Sequence, residues 1–309
     1  MEQTWYSNLF GAFVSWGGIL SAVAAIALLS VLHRNSEAIG KGITEERLHD
    51  IGKMMFAFSI FWMYLFFSQY LVIWYGNLPE ETAFFLTLVL DTQVPVVIVA
   101  AQRQRTTLSE DGSRNLYDAV RVAAHPGARG HGVLMVVNEM IHAARDVTKT
   151  ISYRPETWDS GDLGALGLAD SDRIRFYRTP TSRHTFNSDL HLDGVTQAGS
   201  LPRVDIVYTY ADAGPELVEA AVAAGAEGIV VAGFATGTPT PAIGTALEDA
   251  EALGVAIVMS HRGGRGRVET GRPFVSADNL TPQKARILLM LALAHGVPAD
   301  ALESAFESY

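Results

Sequence analysis

Pro79-Glu80-Glu81-Thr82-Ala83-Phe84-Phe85-Leu86 is the stretch on which this chain turns. On its N-terminal side the residues read as membrane helices. On its C-terminal side they read as the alternating strands and helices of an α/β fold. The segment itself suits both contexts, so two kinds of sequence meet here.

Upstream, Leu9 to Leu32 holds no charged residue, and neither does Met54 to Tyr75. Each exceeds the roughly 20 residues a helix needs to cross a bilayer core, and neither is polar on one face at helical spacing. Trp5 and Tyr6 precede the first run and Trp74 and Tyr75 close the second, as interfacial aromatic belts do. The expectation is a transmembrane hairpin over residues 1–79, with helices at about 9–32 and 54–75. The loop His33 to Lys53 carries Arg34, Lys41, Arg47 and Lys53, which places it in the cytoplasm and both outer ends across the membrane. A membrane location with a periplasmic C-terminal part follows. Gln69, an amide inside the second run, reads as a hydrogen-bond partner for a neighbouring helix.

Downstream the pattern changes. Ala83 to Leu90 is a short apolar helical run that stops at Asp91, Gln93 and Pro95, well short of a span. Val96 to Ala101 and Gly132 to Asn138 are apolar runs of the kind that form strands buried on both faces. Asn115 to Ala124 lies between them as a helix. Gly161 to Ser200, rich in Gly, Asp, Ser and Thr, reads as loops and a linker. Alternation resumes with strands at Val204–Tyr208, Gly228–Ala232 and Val255–Met259. Helices at Pro215–Ala224, Pro241–Leu253, Pro282–Ala294 and Ala299–Phe306 complete the run. Strands alternating with helices indicate parallel sheets. The expected division is a partial α/β domain with a linker at 80–200 and a smaller α/β domain at 201–309.

The formal charge of −10 argues against a nucleic-acid binder, and the absence of cysteine removes disulfides and thiolate chemistry. His125, His131, His142, His184 and His191 show no i, i+4 pairing for a metal. Ser182, Ser188 and Ser260 stand in no nucleophile-elbow context. Arg262-Gly263-Gly264-Arg265-Gly266-Arg267 reads as a basic surface turn. Cradling an anion, or an RGG-type RNA contact, are the alternatives it leaves open.

From residue 80 onward the chain resembles the bacterial L-asparaginases, the type II class in particular. The resemblance rests on Glu80-Glu81-Thr82-Ala83-Phe84-Phe85-Leu86, Pro95-Val96-Val97-Ile98-Val99, Asn115-Leu116-Tyr117-Asp118-Ala119-Val120 and Ala144-Arg145-Asp146-Val147-Thr148-Lys149-Thr150. Leu201 to Tyr208 and Pro282 to Ile287 extend it. It implies hydrolysis of asparagine, and more slowly glutamine, to the acid and ammonia, with no metal or cofactor. It also implies a threonine nucleophile in a Gly-Gly-Thr turn near the enzyme's N-terminus, and a second set of threonine, aspartate and lysine. A hydroxyl is a poor nucleophile at its own pKa and needs neighbours that accept its proton.

By this resemblance Lys149 is the family lysine and Ala101 a small residue whose backbone borders the substrate pocket. Gly76 and Asn77 stand where the family has its Thr-Asp pair, and Asn77 cannot counter an ammonium. No Gly-Gly-Thr turn occurs in the sequence. Thr238 replaces an asparagine that, in the family, reaches a neighbouring subunit's site, which implies homo-oligomer contacts through the C-terminal domain.

The first 85 or so residues resemble a second family, the quinol-oxidising membrane subunit of alternative complex III, of the polysulfide-reductase-like group. Ser7 to Ala12, Ile43 to Lys53 and Phe67 to Thr82 carry that resemblance. The reading preferred from the sequence is a chimera: an asparaginase-like amidohydrolase whose N-terminal part a membrane hairpin replaces, leaving it catalytically silent. The shared Glu-Glu-Thr-Ala-Phe-Phe is the kind of short identity at which DNA fragments join. A membrane-tethered asparagine-binding or assembly module, and a membrane subunit fragment of a quinol-oxidising complex, stand as alternatives.

Overall fold

The computed structural model describes residues 8–33, 43–59, 79–192 and 201–309. It divides into two compact units, Met1–Leu78 and Pro79–Tyr309.

In the first unit, α1 spans Asn8–Leu32, and residues 45–59 are helical (α2). The expected hairpin does not hold: among the described residues no helix is long and apolar enough to cross a membrane. The membrane placement, and with it the periplasmic assignment, is overturned. Met54–Ser59 closes a helix whose first turns carry Glu45, Glu46, Arg47, Asp50 and Lys53. Lys53 donates to Asp50 at 3.3 Å on its exposed side. Gln69, Gly76, Asn77 and the remainder of the second apolar run lie outside the described residues.

The second unit holds two principal sheets. The first has strand order β1-β2-β3-β6-β7, from Val96–Val99, Val133–Val137, Met140–Ala143, Gly167–Ala169 and Ile174–Phe176. β1 and β2 are parallel, and the remaining pairs are antiparallel. The reversal follows from Asn138 and Glu139, both at positive φ (50° and 57°) between the paired residues Val137 and Met140. Two left-handed residues make the mirror-image turn that matches strand twist and permits a two-residue hairpin. The expected loop-and-linker region Gly161–Ser200 therefore contains two strands, β6 and β7. Three-residue strands among glycines and aspartates are too short to show a period.

The second sheet has the order β11-β10-β9-β8, all parallel, from Val275–Ser276, Ala256–His261, Gly228–Gly233 and Val204–Tyr208. Helices α5 (Glu216–Ala223) and α6 (Pro241–Ala252) cover one face, where Val218, Ala221, Ile243 and Leu247 meet Val207, Ile229 and Val231. α7 (Pro282–Ala294) covers the other, with Ala285, Leu288 and Leu289 against Val204, Val230 and Val258. α8 (Leu302–Ser308) closes that layer with Leu302 and Phe306.

The two sheets share one helix. α3 (Pro79–Val89) grows from the stretch that opens the sequence reading, with Glu80 and Glu81 in its first turn, where the helix dipole favours carboxylates. Ala83, Leu86 and Leu90 pack with Val96, Ile98 and Val133 of the first sheet. Phe84 and Leu88 pack with α7 and the second sheet. Apolar side chains on two sides of α3 are what such a shared layer requires. α4 (Gly112–Ala124) covers the far face of the first sheet with Ala119 and Val122.

Candidate active site

Lys149 lies on β4 (Thr148–Lys149), a two-residue strand paired antiparallel with β5 (Trp158–Asp159). Its direct partner is Trp158, and its ammonium stands 5.6 Å from the centre of the indole ring. Trp158 is buried with Ala100, Met135, Val137 and Val147, so the lysine's support is an apolar cluster of the first sheet. The ladder continues with Thr150 N–H donating to Thr157 O at 2.8 Å.

Ala101 follows β1 and is half-buried. Beyond it, Gln102 N–H and Arg103 N–H donate to the Asp111 carboxylate at 2.9 and 2.7 Å. The buried Asn115 donates to Ala100 O at 2.9 Å and to Asp111 at 3.0 Å, and accepts from Asn138 N–H at 2.9 Å. One amide thus ties the end of β1, the start of α4 and the β2–β3 turn. Gln102 Nε2 donates to Ser152 O at 2.7 Å, which brings the segment after Ala101 beside the one after Lys149. Ala101 and Lys149 are joined by these flanks.

Sequence reasoning did not single out Lys284, in the first turn of α7. It is 1% exposed, and its ammonium donates to the carbonyls of Ala144, Arg145 and Val147 at 3.0, 2.7 and 2.5 Å. Those carbonyls belong to the turn that leads into β4. Burial pushes Lys284 down to about 7, while Asp146, Glu80 and Glu81 pull the other way. Three carbonyl acceptors call for three N–H donors, which only the ammonium has. The geometry therefore favours the charged form, against the desolvation that lowers its pKa. A signal was present: Lys284, Ile287, Leu288 and Leu291 share helical spacing, which places the lysine on the apolar face. Burial raises the pKa of both Glu80 and Glu81.

Lys149 opens onto a cleft of about 460 Å³, lined also by Thr148, Thr150, Tyr208, Gln283 and the loop from His261 to Arg265. Of the histidines, His184 is structural: Nδ1 lies 2.8 Å from Ser182 O and Nε2 3.1 Å from Gly130 O. Among the described residues no cluster of three or more His, Asp or Glu could hold a metal ion. A lysine on a strand edge, with hydroxyl-bearing neighbours and an open cleft, can relay protons or bind an anion.

The family pattern "Asparaginase, N-terminal" matches residues 78–182, and "Glutaminase/Asparaginase C-terminal domain" matches residues 203–306. The chain belongs to the asparaginase family. L-asparaginase 2 of Escherichia coli is 39% identical to it over 237 residues, covering 74% of this chain and 67% of that protein. L-asparaginase 2 of Bacillus subtilis is 41% identical over 235 residues. The asparaginase-like chain covers 62% of that relative's length. A crystal structure of a probable cytoplasmic L-asparaginase from Campylobacter jejuni matches with a TM-score of 0.72 at 36% identity, covering 75% of this chain and 77% of that one. The family pattern begins at residue 78, and the likeness to a quinol-oxidising membrane subunit, and with it the chimera, is without support. Within the asparaginase fold, Thr238 accepts from Arg272 at 3.1 Å inside its own chain.

Proposed function

We propose that this asparaginase-family chain carries the proton-relay part of an amidohydrolase site directed at the side-chain carboxamide of asparagine, with Lys149 as the relay group. The observation that carries the reading is the segment Ala144–Thr150, which in this fold becomes the clamped turn and the short strand that present Lys149 to an open cleft. Ala101 borders the substrate side, held by the Asn115 network. Such chemistry needs a nucleophilic hydroxyl and donors for the oxyanion. No Gly-Gly-Thr turn occurs in these 309 residues, and Gly76 and Asn77 occupy the positions of the family's Thr-Asp pair. The 309-residue chain alone is therefore expected to turn over asparagine negligibly. Association of copies through the C-terminal part, residues 201–309, belongs to the same reading.

The test is ammonia release from asparagine and glutamine by the purified chain, beside its Lys149→Ala variant. Rates at the background of both proteins support the silent reading. Turnover comparable to an ordinary asparaginase, lost in Lys149→Ala, would overturn the silence and leave the role of Lys149 standing.

A further inference from the structure

The basic loop that the amidohydrolase reading leaves unused lines the same cleft as Lys149. Arg262, Gly263, Gly264 and Arg265 contribute to its wall, together with His261. Among the described residues no carboxylate belongs to that lining, and Arg265 pairs with Asp159 outside it. Arg262 is held in place: it donates to Thr209 O at 2.7 Å, and its guanidinium lies 4.5 Å from the centre of the Phe234 ring. Gly264 and Gly266 adopt positive φ, 75° and 95°, with open space where a Cβ would stand. Alternating left-handed residues are the conformation in which successive N–H groups converge on an anion.

His261 is the independent observation. It is 5% exposed, and its Nδ1 accepts from Gly263 N–H at 3.2 Å. In the neutral ring that leaves the hydrogen on Nε2, which is buried and has no hydrogen-bond partner. A buried N–H without an acceptor costs about 1–3 kcal/mol. Three cationic side chains and a glycine loop thus line one cleft, and the unanswered imidazole nitrogen lies buried behind its His261 wall.

We propose that this cleft binds a tetrahedral oxyanion, either inorganic phosphate or a phosphate monoester, with Arg262, Arg265 and Lys149 supplying charge and His261 in its wall reporting occupancy. Binding is independent of turnover, so its failure would leave the amidohydrolase reading untouched. The experiment is calorimetric titration of the full chain with inorganic phosphate, with glycerol 3-phosphate and with succinate at constant ionic strength. The His261 imidazole N–H is followed by nuclear magnetic resonance in parallel. We expect saturable binding of phosphate or the monoester, a shift of the His261 signal, and a loss of affinity of at least about tenfold in Arg265→Glu. Whichever of the two binds more tightly identifies the source of the phosphoryl group. Arg262→Gln serves as a second variant, and unchanged circular dichroism establishes that each is folded. No saturation by either phosphate, a response to succinate alone, or equal affinity in both variants would overturn the proposal.

Discussion

His142 shows what burial does to a single titratable group here. It is 1% exposed on β3, and its Nδ1 lies 2.8 Å from Ser160 Oγ. Burial lowers its pKa from 6.5 to about 4, with Asp159 opposing and Lys284 reinforcing. Because the folded value lies below the unfolded one, the unfolded chain binds more protons between about pH 4 and 6.5. The contribution is fully present above pH 6.5 and lost as pH falls toward 4, by about 3 kcal/mol in all. Urea midpoints measured across that window should fall in the native chain and flatten in His142→Gln. An identical acid slope in both would show that another group is responsible. At Lys284 the corresponding substitution is Lys284→Met, which keeps the volume and removes all three donors. It leaves three carbonyls unanswered, those of Ala144 and Val147 buried, and is expected to destabilise the fold by roughly 3 kcal/mol. A loss below about 0.5 kcal/mol, within the range of an ordinary surface change, would count against the clamp.

At the scale of elements, α3 is the piece whose role the sequence could not disclose. Its apolar residues read equally well as the tail of a membrane segment or as the first buried helix of a globular unit. Packing decides between them, because Ala83 faces one sheet while Phe84 and Leu88 face α7. Phe84→Ala empties a site with no exposure and should cost about 3–5 kcal/mol of unfolding free energy. A shift under 1 kcal/mol would mean that α3 is not a shared layer. Strands β8, β9 and β10 of the second sheet were legible as short, largely apolar runs covered on both faces, whereas β11, two residues long, was not. β3, β6 and β7 were not, since their pairing follows from the Asn138-Glu139 turn and from a few residues each. The start of α6 at Pro241 was legible too, and the structure adds its cap: Thr240 accepts from Ile243 N–H at 3.3 Å, and Pro241 occupies the first helical turn.

At the scale of the molecule, we propose that residues 201–309 form a separable unit within Pro79–Tyr309. Limited proteolysis should leave a fragment beginning near residue 200. Since α3 lends Phe84 and Leu88 to its core, the isolated fragment should unfold at lower denaturant than the same sheet in the full chain. Digestion that leaves no such fragment, or a fragment as stable as the whole, would refute this arrangement. The sequence by itself determined the α/β alternation, the parallel strands β8, β9 and β10 and the family segments, because these rest on local pattern and residue type. It also suggested a membrane hairpin, on length and hydropathy alone, which the described helices do not bear out. Only the tertiary structure decided what surrounds Lys149. The carbonyl clamp from Lys284 and the basic loop at its cleft come from residues more than a hundred positions away in sequence, and the amide network of Asn115 joins residues up to 23 apart. Contacts over such separations follow from how layers stack. The stretch Pro79 to Leu86, ambiguous on its own, became the helix on which both layers meet.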